Sequence, residues 1–222
     1  MLTSFEKGAI FCFDISRFYY TIKNVDIFLL NFSFIIYNSF LAIIPVLFGW
    51  LMSKANSTFA KVWTGFIWLI FLPNTIYILT DVSHLLEDWP KVDTIFKFIL
   101  IIQYSLFSIF GVITFVISVH FFQKLLEGKR TNWKVEKMKL STLVAICILN
   151  FAVGFAVIMG GIERTNSWYV LTDPIRVLRD TLDVLSSGEM MMLSGGIGVL
   201  ANIIYFLMLE SVVTWGKKYL KS

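Results

Sequence analysis

The sequence predicts an all-α protein, a polytopic transmembrane helix bundle of five spans with an amphipathic helix on its outer face. Three observations predict it. Hydrophobic residues make up 57% of the 222 residues and charged residues only 15%, whereas soluble domains carry about 25% charge. Mean hydropathy is +0.76. The apolar residues also arrive in long uninterrupted blocks and not in a dispersed amphipathic pattern, which marks membrane-spanning helices in a single integral membrane domain over residues 1–222.

The N-terminal segment, residues 1–26, mixes charge with aromatics. Its apolar part, Gly8 to Ile22, contains Asp14 and Arg17. At ~1.5 Å per residue it is too short to cross a hydrocarbon core of ~30 Å. Phe11, Phe13, Phe18, Tyr19 and Tyr20 suit a helix lying in the interface. A sixth, short span is the alternative. No short apolar run precedes a small-residue cleavage site, so the first long span is expected to stay as an anchor.

The spans fall near residues 27–52, 62–84, 95–122, 140–162 and 192–215. Pro45 and Pro73 interrupt the helix ladder of spans one and two, since proline has no amide hydrogen. Pro73 is expected to free the carbonyl of Leu69. In span four, Ala152, Ala156 and Gly160 recur every four residues; in span five, Ser194, Gly198 and Asn202 do the same. Such small-residue ridges let helices approach closely. Between these spans, Asp173 suits an N-cap, Pro174 the first helical position and Gly188 a C-terminal cap. Ile175, Leu178, Leu182 and Leu185 share one face of that helix, near residues 172–187, with Arg176, Arg179, Asp180 and Asp183 on the other. A surface amphipathic helix follows.

Basic residues set the orientation. Lys124, Lys129, Arg130, Lys134, Lys137 and Lys139 lie in one loop, Lys217, Lys218 and Lys221 in the tail, and Lys54 and Lys61 after span one. With five spans these regions share a side. Positive-inside then puts the C-terminus in the cytoplasm and the N-terminus outside, in a multi-pass plasma-membrane protein. Because the basic residues sit in short inter-span loops, nucleic acid is not an expected partner. Two cysteines, Cys12 and Cys147, supply neither a disulfide framework nor zinc spacing. No nucleotide loop, haem or iron–sulfur pattern is present, and no cofactor is expected.

The chemistry concentrates at the outer end of span two. Asn74, Tyr77, Asp81 and His84 are spaced three, four and three apart, which confines them to an arc of roughly 80° on a helix. Unpaired Asn and Asp are costly in hydrocarbon, so the stripe must face a cavity, a partner or the interface. Asp81 and His84 read either as a weak metal or acid/base pair, or as a cap and an interfacial ring. Arg164, Asn166, Ser167 and Trp168 lie where span four leaves the membrane, on the same side. Arg164 either closes the bundle against Asp81 or holds a phosphate or carboxylate. Trp168 suits an interface anchor. Ser167 lacks a nucleophile setting. Glu210 and Asn202 lie in the inner half of span five and Gln103 in span three, where a transport path would need polar residues.

Three stretches carry a family resemblance: Asn38 to Pro45, Phe71 to Leu85 and Arg164 to Trp168. Together they resemble the uncharacterised bacterial multi-span membrane proteins grouped as domain of unknown function thirteen-sixty-one. The resemblance covers most of the chain and implies a bacterial membrane protein without supplying a reaction. The third stretch departs from the family pattern, which tends to have another Arg near Gly161, a Trp at the Thr165 position and an Asp at the Tyr169 position. The resemblance thus implies an altered edge there.

The reading that follows is a binding or accessory protein of the plasma membrane. Its polar site (Asn74, Tyr77, Asp81, His84, Arg164, Asn166 and Trp168) would take a lipid headgroup, anionic lipid or envelope precursor. A metal-assisted or acid/base enzyme on a lipid-linked substrate, and a small transporter or transporter subunit, are the alternatives. The bilayer, and other membrane proteins, are the remaining expected partners.

Overall fold

The computed structural model describes the backbone of residues 4–128 and 138–219, and side chains within 26–29, 31–128 and 138–214. The chain is helical, with no strand among the described residues. Its elements are α1 (Ser4–Lys54), α2 (Thr58–Phe71), α3 (Pro73–Thr80), α4 (Val82–Asp88), α5 (Thr94–Glu127), α6 (Leu140–Gly161), α7 (Tyr169–Thr172), α8 (Pro174–Ser186) and α9 (Gly188–Tyr219). A 3-10 turn at Trp89–Lys91 joins α4 to α5. Five helical stretches are long and apolar enough to cross a membrane: Asp26–Lys54, Thr58–Lys91, Thr94–Glu127, Leu140–Gly161 and Gly188–Thr214. The expectation of an interfacial N-terminal segment, or a sixth span there, falls on side chains outside the described residues.

The second span shows how local sequence shapes the bundle. Ser57 caps α2, its hydroxyl accepting from the Ala60 amide at 3.1 Å. Pro73 opens α3 without reversing the chain, because Leu72 keeps a right-handed helical backbone. The Thr75 amide turns back to the Leu72 carbonyl, and the Phe71 carbonyl takes the Asn74 side chain at 3.0 Å instead. Asn74 therefore satisfies Phe71, and not Leu69 as the proline alone suggests. The shift arises because the turn tightens to a three-residue bond just past Pro73.

Span five begins earlier than its apolar block. Gly188 is the first residue of α9 and not a cap for α8, whose C-cap is Ser187. Met190 to Met192 carry the helix forward, and Ser187 Oγ accepts from the Met190 amide.

The core lies among α2, α3, α5, α6 and α9. Trp68, Leu72, Ile76, Phe115, Val153 and Tyr205 are buried in it. Trp68 donates to Ser118 Oγ at 2.8 Å, so its one polar atom is satisfied. The tightest seam joins α6 to α9. A Cβ on Gly154 would fall 2.5 Å from the Gly198 nitrogen and from the Ser194 carbonyl, and one on Gly198 would fall 2.5 Å from Phe151. Asn150 donates to Asn202 Oδ1 at 3.0 Å in the same seam.

The ridge predicted on span five is the one used. The ridge predicted on span four is not: Ala152 is exposed, and the contact row is Asn150 and Gly154. These lie two residues away from Ala152 and Ala156, which places them nearly opposite on the helix. Ala156 and Gly160 line a cavity instead. α3 sits between α1 and α6 and packs on both, and among the described residues α1 and α6 have no substantial packing of their own.

α8 lies against the ends of α6 and α9, with Val184 buried beside Ile158 and Met159. Its Ile175, Leu178, Leu182 and Leu185 face away from the protein, Ile175 being 72% exposed. The helix thus packs through a mixed face of Val177, Asp180, Thr181 and Val184 and turns its apolar stripe outward.

Candidate ligand pocket at one end of the bundle

Asp81 stands at the junction of α3 and α4, as C-cap of one and flanking residue of the next. It is 2% exposed. Its carboxylate accepts from Asn38 Nδ2 of α1 at 3.4 Å. Seven residues further along α3–α4, Asp88 accepts from Asn31 at 2.9 Å, and Asn31 lies seven residues before Asn38. The two antiparallel helices thus carry two Asn–Asp rungs, each step being two helical turns. Lys91 closes the outer rung at 2.8 Å from Asp88. Asn38 was no site candidate from sequence. Its signal was available, as an amide in mid-span, but its partner lies in a different span.

His84 is one turn beyond Asp81 and points elsewhere. Its Nδ1 is 3.5 Å from Glu87 Oε2, and its ring meets Phe34 edge-on at 5.2 Å between centroids. Asp81 and His84 share a backbone bond, His84 N–H to the Asp81 carbonyl, and no side-chain hydrogen bond. Deeper in the span, Asn74 Nδ2 also donates to Ser167 Oγ at 3.0 Å. That bond ties α3 to the turn after α6 and gives Ser167 a structural partner.

That turn carries Arg164, whose φ of 55° makes it the one non-glycine residue with positive φ among those described. A side chain in this left-handed region costs roughly 1–2 kcal/mol, and such strain gathers at functional positions. The turn is held on both sides of Arg164. The Thr165 amide donates to the Met159 carbonyl, and the Thr165 hydroxyl donates to Asp180 of α8. Arg176 of α8 stacks over the Tyr169 ring at 4.5 Å and reaches Asp180 at 3.6 Å. Thr165 and Tyr169 are therefore among the residues that fasten α8. Arg164 itself is exposed and makes no hydrogen bond or ion pair among the described residues. The ion pair with Asp81 that would close the bundle does not form; Asp81 is taken by Asn38.

These groups surround two adjoining cavities. The larger, of about 610 Å³, is lined by Tyr77, Asp81, His84, Arg164 and Asn166. The smaller, of about 220 Å³, lies between α1, α3 and α6 and is lined by Tyr37, Asn38, Asn74, Ala156 and Trp168. Tyr77, Gly160 and Asn166 border both. All seven candidate residues thus meet one cavity or the other. Gly160 and Gly161 leave room for the Tyr77 ring, which stands 3.6 Å from a Cβ placed on Gly161.

Among the described residues, the acidic group close enough to share an ion is Glu163, Asp180 and Asp183, within 4.8 Å of one another. Asp81 and His84 belong to no such group. Asp180 already serves Thr165 and Arg176. At the other end of the bundle, Tyr205 donates to Gln123, which donates to Glu127. The apolar core lies between that network and the cavities. Asn202 is occupied in the α6–α9 seam.

The five apolar helices and their polar-ended pocket define a multi-pass helical membrane protein. Within that class, residues 37–204 match the family described as "Protein of unknown function (DUF1361)", and the chain belongs to it. Neither the curated proteins nor the solved structures compared with the chain gave a match.

Proposed function

We propose that this chain is a binding or accessory protein of a bacterial plasma membrane, holding the anionic group of a lipid headgroup or envelope precursor at the outer face. The observation that supports it most is Arg164. Its guanidinium borders a 610 Å³ cavity, its backbone is strained at φ 55°, and among the described residues no carboxylate neutralises it. A planar fork left open in a concave site suits a phosphate or carboxylate. Tyr77 and Asn166 on the same walls add hydrogen-bonding groups.

An acid/base enzyme would need Asp81 and His84 to work as a pair. Their side chains engage Asn38 and Glu87 respectively, so binding is the better-supported reading.

The test is retention of phosphate-bearing lipid. Wild-type protein purified in mild detergent is expected to carry such lipid in native mass spectrometry, and Arg164→Gln to lose it with an unchanged melting temperature. Equal lipid content in both proteins would refute the reading.

A further inference from the structure

The pocket holds an arginine and a carboxyl group that do not meet. Arg164 is fixed by a turn pinned at Thr165. Asp81 is fixed in the cavity wall by Asn38. Both line the same cavity, yet the pair does not close to within the 4.0 Å of an ion pair. Opposite charges near a membrane attract strongly and close unless the scaffold keeps them apart.

The Asp81 carboxylate is also under-used. It is 2% exposed and accepts one hydrogen bond, at 3.4 Å, among the described residues. A carboxylate has about four acceptor sites. The free sites of a buried carboxylate in a cavity wall call for a strong donor.

The second cavity adjoins the first on the α1 side. It is a cleft between α1 and α6, which among the described residues lack substantial packing of their own. Its wall residue Ala156 stands five residues inside the end of α6, about 7.5 Å at helical rise. α6 is about as long as a bilayer core is thick, so a residue at that depth belongs to its membrane-spanning part. Tyr37, on its α1 side, is 50% exposed on the lipid-facing surface.

Building on the proposed anion site, we infer that the ligand carries both a phosphate and a primary ammonium on a lipid. Arg164 takes the phosphate, the ammonium donates to Asp81, and a chain leaves sideways through the α1–α6 cleft. The ligand class is a zwitterionic aminophospholipid. The same head chemistry exists in soluble O-phosphoethanolamine, which would use the larger cavity alone.

Binding of phosphatidylethanolamine, phosphatidylglycerol and O-phosphoethanolamine to the full chain in nanodiscs of phosphatidylcholine tests this. Wild type is expected to prefer phosphatidylethanolamine over phosphatidylglycerol by at least about tenfold, the worth of one charge-assisted hydrogen bond. Asp81→Asn is expected to erase that preference, and Arg164→Gln to weaken both lipids. Ala156→Phe, which fills only the cleft, is expected to weaken the lipid and spare O-phosphoethanolamine. Tighter binding of O-phosphoethanolamine than of the lipid would overturn the sideways-chain assignment.

Equal affinity of wild type for the two phospholipids, with Arg164→Gln still weakening both, would overturn this inference and leave the anion site standing. Loss of neither lipid in Arg164→Gln would remove the anion site as well. Should Ala156→Phe fail to fold, a photo-crosslinking residue at Leu41, also in the cleft wall, must capture lipid chains in otherwise native protein; no capture overturns the cleft.

Discussion

Asn38 Nδ2 lies 3.4 Å from Asp81 Oδ2, the one side-chain donor that reaches this buried carboxylate among the described residues. The contact links α1 to the α3–α4 junction and fixes the inner wall of the larger cavity. Removing the amide leaves a buried acceptor without a partner. Asn38→Ala is therefore expected to destabilise the protein by about 1–3 kcal/mol. Asn31→Ala should cost less, since Asp88 keeps Lys91 at 2.8 Å. Unfolding titrations in mild detergent read both values. An unchanged midpoint for Asn38→Ala would show that the amide does not hold Asp81.

Arg164→Gly separates strain from charge. The substitution removes the side chain from a φ of 55°, a region glycine enters freely. It is expected to raise stability by roughly 1 kcal/mol while abolishing retention of phosphate-bearing lipid. Arg164→Gln keeps the strain and should match wild-type stability with the same binding loss. Destabilisation by glycine would show that the guanidinium holds the turn together.

The α6–α9 seam makes a steric prediction. Gly154→Ala and Gly198→Ala each place a methyl within 2.5 Å of the facing helix, and such overpacking costs typically about 1–3 kcal/mol. Gly195→Ala and Gly196→Ala meet nothing within 4 Å and are expected to be neutral or slightly stabilising, alanine being the better helix former. Thermal unfolding of the four variants side by side checks the contrast.

Thr165 is the fastening of α8. Thr165→Val keeps the shape and deletes the hydroxyl that donates to buried Asp180. The amides of residues 175–186 are expected to exchange hydrogen about tenfold faster, as loss of a hydrogen bond worth ~1.4 kcal/mol would give. Exchange rates in the α6–α9 seam should stay as they were.

The membrane-spanning fold was legible because an unbroken apolar block of span length has the dimensions of a bilayer core and exceeds what a small soluble core can bury. The spacing of Asn74, Tyr77, Asp81 and His84 was legible too, since helical periodicity places them on one side and the structure brings all four to cavity walls. What eluded the sequence was partner choice. Asp81 could pair with any donor on its side of the membrane, and nothing local favoured Asn38 over Arg164. The span-four ridge misled for a related reason. Ala152, Ala156 and Gly160 repeat as regularly as a packing ridge, but small residues serve equally well to leave space. Gly188 likewise fits a cap or a helix start, and only the continuation of α9 decides between them.

The glycine seam has a consequence for motion. With Gly154 and Gly198 in backbone contact and Asn150 bonded to Asn202, α6 and α9 behave as one stationary post. Sliding either past the other would break a hydrogen bond and collide backbone with backbone. α1 carries no such constraint toward α6. Its hold on this end of the bundle combines the polar Asn31 and Asn38 rungs with apolar packing of Phe34, Ile35 and Ala42 beside Leu85 and Val92. Widening the cleft between α1 and α6 would require α1 to give up those rungs and part of its packing on α3 and α5, while the α6–α9 post stays in place.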